Sequence, residues 1–133
     1  EMRKLIIPIL FTLVFLNFNT GHTLANSPKL SIPVTSYDFG QIPEGQAVEH
    51  VFILNNIGKT PLEIKSITPD CNCTKVRLSA NRIKPGKQAE IIVTFDSQGQ
   101  GGSFTKLVII ETNDPIEPIK MIKIKGTVIK EDA

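Results

Sequence analysis

The sequence predicts an all-β, immunoglobulin-like sandwich, and three observations lead there. Apolar residues alternate with a period of two in several segments, turn-forming residues separate those segments at short and even intervals, and no stretch beyond the first two dozen residues has a helical period. Val48, His50, Phe52 and Leu54 alternate with Ala47, Glu49, Val51 and Ile53. Ala89, Ile91, Val93 and Phe95 alternate with Glu90, Ile92 and Thr94. Phe104, Lys106, Val108 and Ile110 repeat the pattern against Thr105, Leu107 and Ile109. In the last segment Ile122, Ile124 and Val128 face inward while Lys123 and Lys125 face outward. Leu30 to Val34, Leu62 to Ile67 and Thr74 to Leu78 bring the expected number of strands to about seven.

The turns follow from residue chemistry. Pro43-Glu44-Gly45 precedes the strand that carries His50, and Asn56 to Pro61 follows it. Lys84-Pro85-Gly86-Lys87 opens the next long strand, while Ser97 to Ser103, with three glycines, reads as a flexible connection. Asn113-Asp114-Pro115 ends the strand after that. Asp38 and Asp96 lie beside inward-reading phenylalanines at strand ends, where turn hydrogen bonding explains a carboxylate better than acid-base catalysis does.

The first 25 residues read differently. Arg3 and Lys4 form a basic start, Leu5 to Phe18 is an uncharged apolar run too short to span a bilayer comfortably, and Thr23-Leu24-Ala25 supplies a small residue at the expected cleavage point. This predicts a signal peptide over 1–25 and a single domain over 26–133, placing the protein in a secreted or periplasmic location. No cysteine lies in or just after the leader, which argues against a lipid-modified N-terminus. Once the leader is removed no membrane span is expected.

Charge narrows the function. The formal net charge is +2 for the whole chain, and removing the leader takes away Glu1, Arg3 and Lys4. The remaining charges are interspersed, which is a solvated surface rather than a footprint for nucleic acid. Serine-hydrolase elbows, phosphate loops and dinucleotide fingerprints are all missing from the sequence, so it predicts no enzyme and no catalytic residue.

A family resemblance rests on landmarks in order. Tyr37-Asp38-Phe39-Gly40-Gln41-Ile42, Glu44-Gly45, Glu49-His50-Val51-Phe52 with Asn56 and Gly58, and Pro61-Leu62-Glu63-Ile64 come first. Cys71 and Cys73 with Thr74, Pro85-Gly86, Val93 to Ser97, Gly102-Ser103-Phe104, Thr112-Asn113 and Ile124 to Val128 complete the set. In that order and spacing the chain resembles the bacterial domain of unknown function 1573 family. The resemblance implies an exported immunoglobulin-like module, similar to major sperm protein and HYDIN-type modules, with no activity attached. That family usually has glycine where this chain has Asn72, and asparagine is the next best residue at a positive φ.

Cys71 and Cys73 are the only cysteines, and their chemistry stays open between four readings. In a flat strand their Cα atoms would stand roughly 6.6–7 Å apart, beyond the usual disulfide separation, so an internal bridge needs a bend at Asn72. Buried thiols packed as small apolar side chains are the plain alternative. Two thiolates on one side of a strand would suit copper or zinc, with His50 as the candidate third ligand and Met121 as a soft thioether. Thiol-disulfide exchange and an intermolecular disulfide complete the set. The function expected is therefore a non-enzymatic module that docks an unidentified protein partner through edge strands or loops, with soft-metal binding or thiol redox as the alternative.

Overall fold

The computed structural model describes residues 26–131, and the leader expected over 1–25 lies outside the described residues. The described residues form nine strands: β1 (Leu30–Ser31), β2 (Ser36–Pro43), β3 (Ala47–Asn56), β4 (Leu62–Pro69), β5 (Thr74–Leu78), β6 (Arg82–Ile83), β7 (Gln88–Asp96), β8 (Gly102–Thr112) and β9 (Ile119–Ile129). They make two sheets, one in the order β1-β3-β7-β5 and the other β2-β9-β8-β4-β6. No described helix is long and apolar enough to cross a membrane.

The period-two reading holds strand by strand. Phe52 and Leu54 of β3, Ile91, Val93 and Phe95 of β7, Val108 and Ile110 of β8, and Ile122, Ile124 and Val128 of β9 are all buried. Each sheet thus turns one apolar row inward, and burying those rows is the main favourable term in folding. Phe95 and Phe104 stack at 4.0 Å between ring centroids and join the two sheets near one end.

Three departures from the sequence reading have physical causes. The first strand stops at Ser31 because Pro33 has no N–H to continue a ladder. Beyond it the chain changes sheets and forms β2, parallel to β9 from Ser36↔Lys123 to Pro43↔Ile129. β2 escapes sequence reading because its register shifts between Asp38 and Gln41, which breaks the alternation. Gly40 takes φ +69° there, and the Asp38 carboxylate accepts a hydrogen bond from its N–H at 2.8 Å. The third departure is Ser97, at the start of the connection expected to be flexible. It is fully buried, and its Oγ lies 2.6 Å from Gln46 O and 2.9 Å from Pro43 O, tying the loop after β7 to the turn before β3. β6, only two residues long, is a further strand that the sequence did not reveal.

Buried polar side chains tie the rest of the frame. Asn56 Nδ2 donates to Thr60 O at 2.8 Å and Ile83 O at 2.9 Å, while its Oδ1 accepts from Gly58 N at 3.0 Å. Asp114, between β8 and β9, accepts from Leu30 N at 3.1 Å, Ile116 N at 2.9 Å and Glu117 N at 3.2 Å. One carboxylate thereby fixes β1 and closes its own loop.

Candidate functional site

Cys71 and Cys73 do not lie in a strand. They flank a turn that carries the chain from β4 in one sheet to β5 in the other, closed by a hydrogen bond from Thr74 N to Cys71 O at 3.1 Å. That turn shortens the Cα–Cα separation to 5.2 Å, and the two sulfurs are joined in a disulfide. Asn72 does not use a positive φ, because no described non-glycine residue does. The bend that an internal bridge requires at this residue is therefore made by an ordinary right-handed turn, which glycine and asparagine both tolerate.

The surroundings of the two sulfurs differ. Cys73 packs against the hydrophobic core, and its Sγ lies 3.8 Å from the hydroxyl of buried Thr74. Cys71 Sγ accepts a hydrogen bond from Cys73 N at 3.2 Å. The backbone of the turn is anchored on both sides, by Asp70 N to Leu107 O at 3.0 Å and Asp96 N to Cys73 O at 2.9 Å.

His50 is elsewhere. Its register partner is Val93, whereas Cys73 bonds level with Asp96, three residues further along β7 and on its other side. Strand spacing then puts the imidazole about 10 Å along and about 10 Å across from the cysteines. His50 is stacked on Tyr37 at 3.7 Å between ring centroids and meets the Phe52 ring edge-on at 4.7 Å. Burial against these rings lowers its pKa, favouring the neutral imidazole. No group of three histidine, cysteine, aspartate or glutamate residues that could hold a metal ion occurs among the described residues. Met121, the possible thioether ligand, is exposed on the outer face of β9. The structure thus brings Cys71 and Cys73 together and leaves His50 and Met121 apart from them.

Two open concavities among the described residues bring no reactive set together. A depression of about 390 Å³ is lined by Glu63, Ile64, Lys65, Asn81 and Arg82, and another of about 260 Å³ by residues around Pro43 and Ile129. Neither includes a cysteine or histidine. Asp38 and Asp96, read as turn formers, each accept a hydrogen bond from the N–H two residues on.

Two surface features stand out beside the turn. On the outer face of the larger sheet Ile109 lies opposite Met121, with Ile119 next along β9, and all three are exposed. In the other sheet β1 covers β3 only at Asn55 and Asn56, so no described strand pairs with that side of β3 from Ala47 to Leu54. Asn56 N bonds to Lys87 O on the β7 side. By the alternation of an antiparallel ladder the even-numbered residues of β3 bond to β7, and the N–H and C=O of Glu49, Val51 and Ile53 point to the open side. Sequence periodicity could not find this edge, since it shows which residues face inward but not which strands are neighbours.

The pattern described as "Protein of unknown function (DUF1573)" matches residues 30–128. The chain belongs to this family. The matched stretch runs from β1 into β9 and includes the Cys71–Cys73 turn. No curated protein matches the sequence. Among solved structures, a protein of unknown function from Porphyromonas gingivalis W83 is similar at 27% identity with a TM-score of 0.71, over 84% of this chain and 51% of that one. The chain thus spans about half the length of that relative. A PapD-like domain of human CEP192 shares the fold at 16% identity and a TM-score of 0.63, covering 80% of this chain and 89% of that one. The secreted serine protease VesC of Vibrio cholerae contains a similar fold, at 10% identity and a TM-score of 0.59, over 78% of this chain and 24% of that one. These likenesses establish an immunoglobulin- or PapD-like sandwich for the family member described here.

Proposed function

We propose that the protein is an exported, non-enzymatic module that binds an extended segment of another protein along the open edge of β3. The observation that carries this reading is the uncovered side of β3 between Ala47 and Leu54, left by the change of sheet at Pro33. Unpaired edge groups are a template for an added strand, and proteins usually cover, shorten or charge such edges. Here β3 is ten residues long. Glu49, Val51 and Ile53 offer it alternating donors and acceptors, and main-chain pairing of this kind gives affinity independent of sequence.

Side chains next to the edge define the partner's chemistry. Exposed Val51 and half-buried Ile53 lie on the outer face, while the stacked Tyr37 and His50 rings lie on the inner side. An extended segment with apolar residues on both faces fits that environment better than a charged one. Export is the compartment in which the apolar leader and the oxidised cysteine pair agree.

The test is selection of displayed peptides on the purified domain, followed by amide hydrogen exchange of the best binder's complex. Protection of Glu49, Val51 and Ile53, with binding lost in Val51→Pro, supports the reading. Binders that instead protect Ile109 and Met121 on the outer face, or no binders at all, overturn it.

A further inference from the structure

The disulfide in the β4–β5 turn holds little of the fold together. It closes a loop with a single intervening residue, where cross-linking removes the least chain entropy from the unfolded state. The turn has its own supports in the Thr74 N to Cys71 O bond and the anchors at Asp70 and Asp96. Both cysteines are only half-buried, and Asn72 between them is exposed. A bond that the fold does not need and solvent can reach is placed for chemistry rather than for stability.

We infer that Cys71 and Cys73 form a thiol–disulfide exchange site that accepts two electrons from a dithiol of another polypeptide, with Cys71 carrying the mixed disulfide. The assignment rests on the different surroundings of the two sulfurs. Cys73 packs against the core, so an incoming thiolate reaches Cys71 Sγ. Attack there forms a bond between the substrate sulfur and Cys71 and breaks the Cys71–Cys73 bond. The Cys73 thiolate departs beside the Thr74 hydroxyl, 3.8 Å away, and takes up the proton that the first substrate thiol released to solvent. The second substrate thiolate then attacks the substrate sulfur of the mixed disulfide. The substrate disulfide forms, and Cys71 leaves as a thiolate whose charge is met by the Cys73 N–H at 3.2 Å. Proton uptake by Cys71 completes the step, in which the substrate loses two electrons and two protons and the cysteine pair gains them. Each leaving sulfur thus has a donor in place.

The site is separate from the β3 edge, because β7 lies between β3 and β5. Loss of one function would leave the other measurable.

The probe is a reduced synthetic peptide with two cysteines, mixed with the oxidised full chain and quenched by alkylation for intact mass. The expected result is one-to-one transfer, with the peptide oxidised, the protein carrying two alkylated thiols, and an unchanged circular dichroism spectrum. A protein that stays oxidised with excess peptide, or that unfolds on reduction, overturns the site. Cys73→Ser and Cys71→Ser, each reduced, are then mixed with glutathione disulfide near neutral pH. The Cys71 thiol should form its mixed disulfide at least about tenfold faster, since a more accessible and better-stabilised thiolate reacts sooner. Equal or reversed rates overturn the role given to Cys71. If either variant fails to fold, limiting alkylation of the reduced wild-type chain with peptide mapping reads the same order, and first labelling of Cys73 counts against the assignment.

Discussion

Asp114 shows how much one side chain can decide without being chemically active. Burial pushes its carboxyl pKa up, but hydrogen bonds from the N–H groups of Ile116, Glu117 and Leu30, with the charge of Lys120, outweigh that and leave it below the ordinary carboxylate value. A carboxyl with a depressed folded-state pKa contributes stability above its unfolded value and loses it as pH falls through the folded one. Asp114→Ala should therefore cost about 2–4 kcal/mol at neutral pH, measured by urea unfolding. The cost should shrink as acid protonates the wild-type carboxyl. Gly58 makes a parallel case by packing, since a Cβ there would lie within 3.0 Å of the backbone of Ser27, Pro28 and Lys29. Gly58→Ala should destabilise by about 1–3 kcal/mol, read as a lowered urea midpoint with unchanged slope. Sequence alone marked both residues as turn formers, because composition identifies a turn but not what the turn is tied to. The same limit applied at Asn72, where a bend was readable only as the condition for a bridge and the negative φ was not readable at all.

At the scale of elements, legibility followed periodicity. β3, β7, β8 and β9 were readable because one face is buried along most of their length, and each inward residue named from the pattern is buried or half-buried. β2 was hidden by its bulge, and its pairing with the last strand depends on a contact between residues about ninety positions apart in the chain. Edge exposure belongs to this scale as well, and it makes a contrast between neighbouring residues. Val51→Pro removes an N–H directed to the open side, so the fold should survive at a cost of about 1–2 kcal/mol. Phe52→Pro removes one directed to β7 from a buried position, and should cost about 3 kcal/mol or more. Thermal unfolding of the two variants compares them directly. A severe loss in the first would mean that the edge of β3 is not free.

At the scale of the whole molecule, the described residues enclose one apolar core between two sheets, and the alternation had already pointed to such a sandwich. The candidate site was legible only in part. Cys71 and Cys73 were identified from their spacing, but whether a bend at Asn72 lets them meet, and whether His50 lies beside them, stayed open. Which residues meet across the sheets depends on strand order, and strand order is set by long-range packing rather than by local pattern. The proposed export is checked at this scale. Intact mass of the protein recovered outside the cytoplasm should correspond to a chain starting at Asn26, and recovery of the uncleaved chain in the cytoplasm would count against it.

The parallel pairing of β2 with β9 also gives the domain a mechanical character. The N-terminal end of β2 and the C-terminal end of β9 lie at opposite ends of their shared ladder, from Ser36↔Lys123 to Pro43↔Ile129. Tension applied through the two ends of the chain would slide these strands past each other, loading their hydrogen bonds together instead of peeling them one at a time. A module stretched between two anchors would then resist extension through this clamp, with β1 and its carboxylate tie at Asp114 the first part to give way.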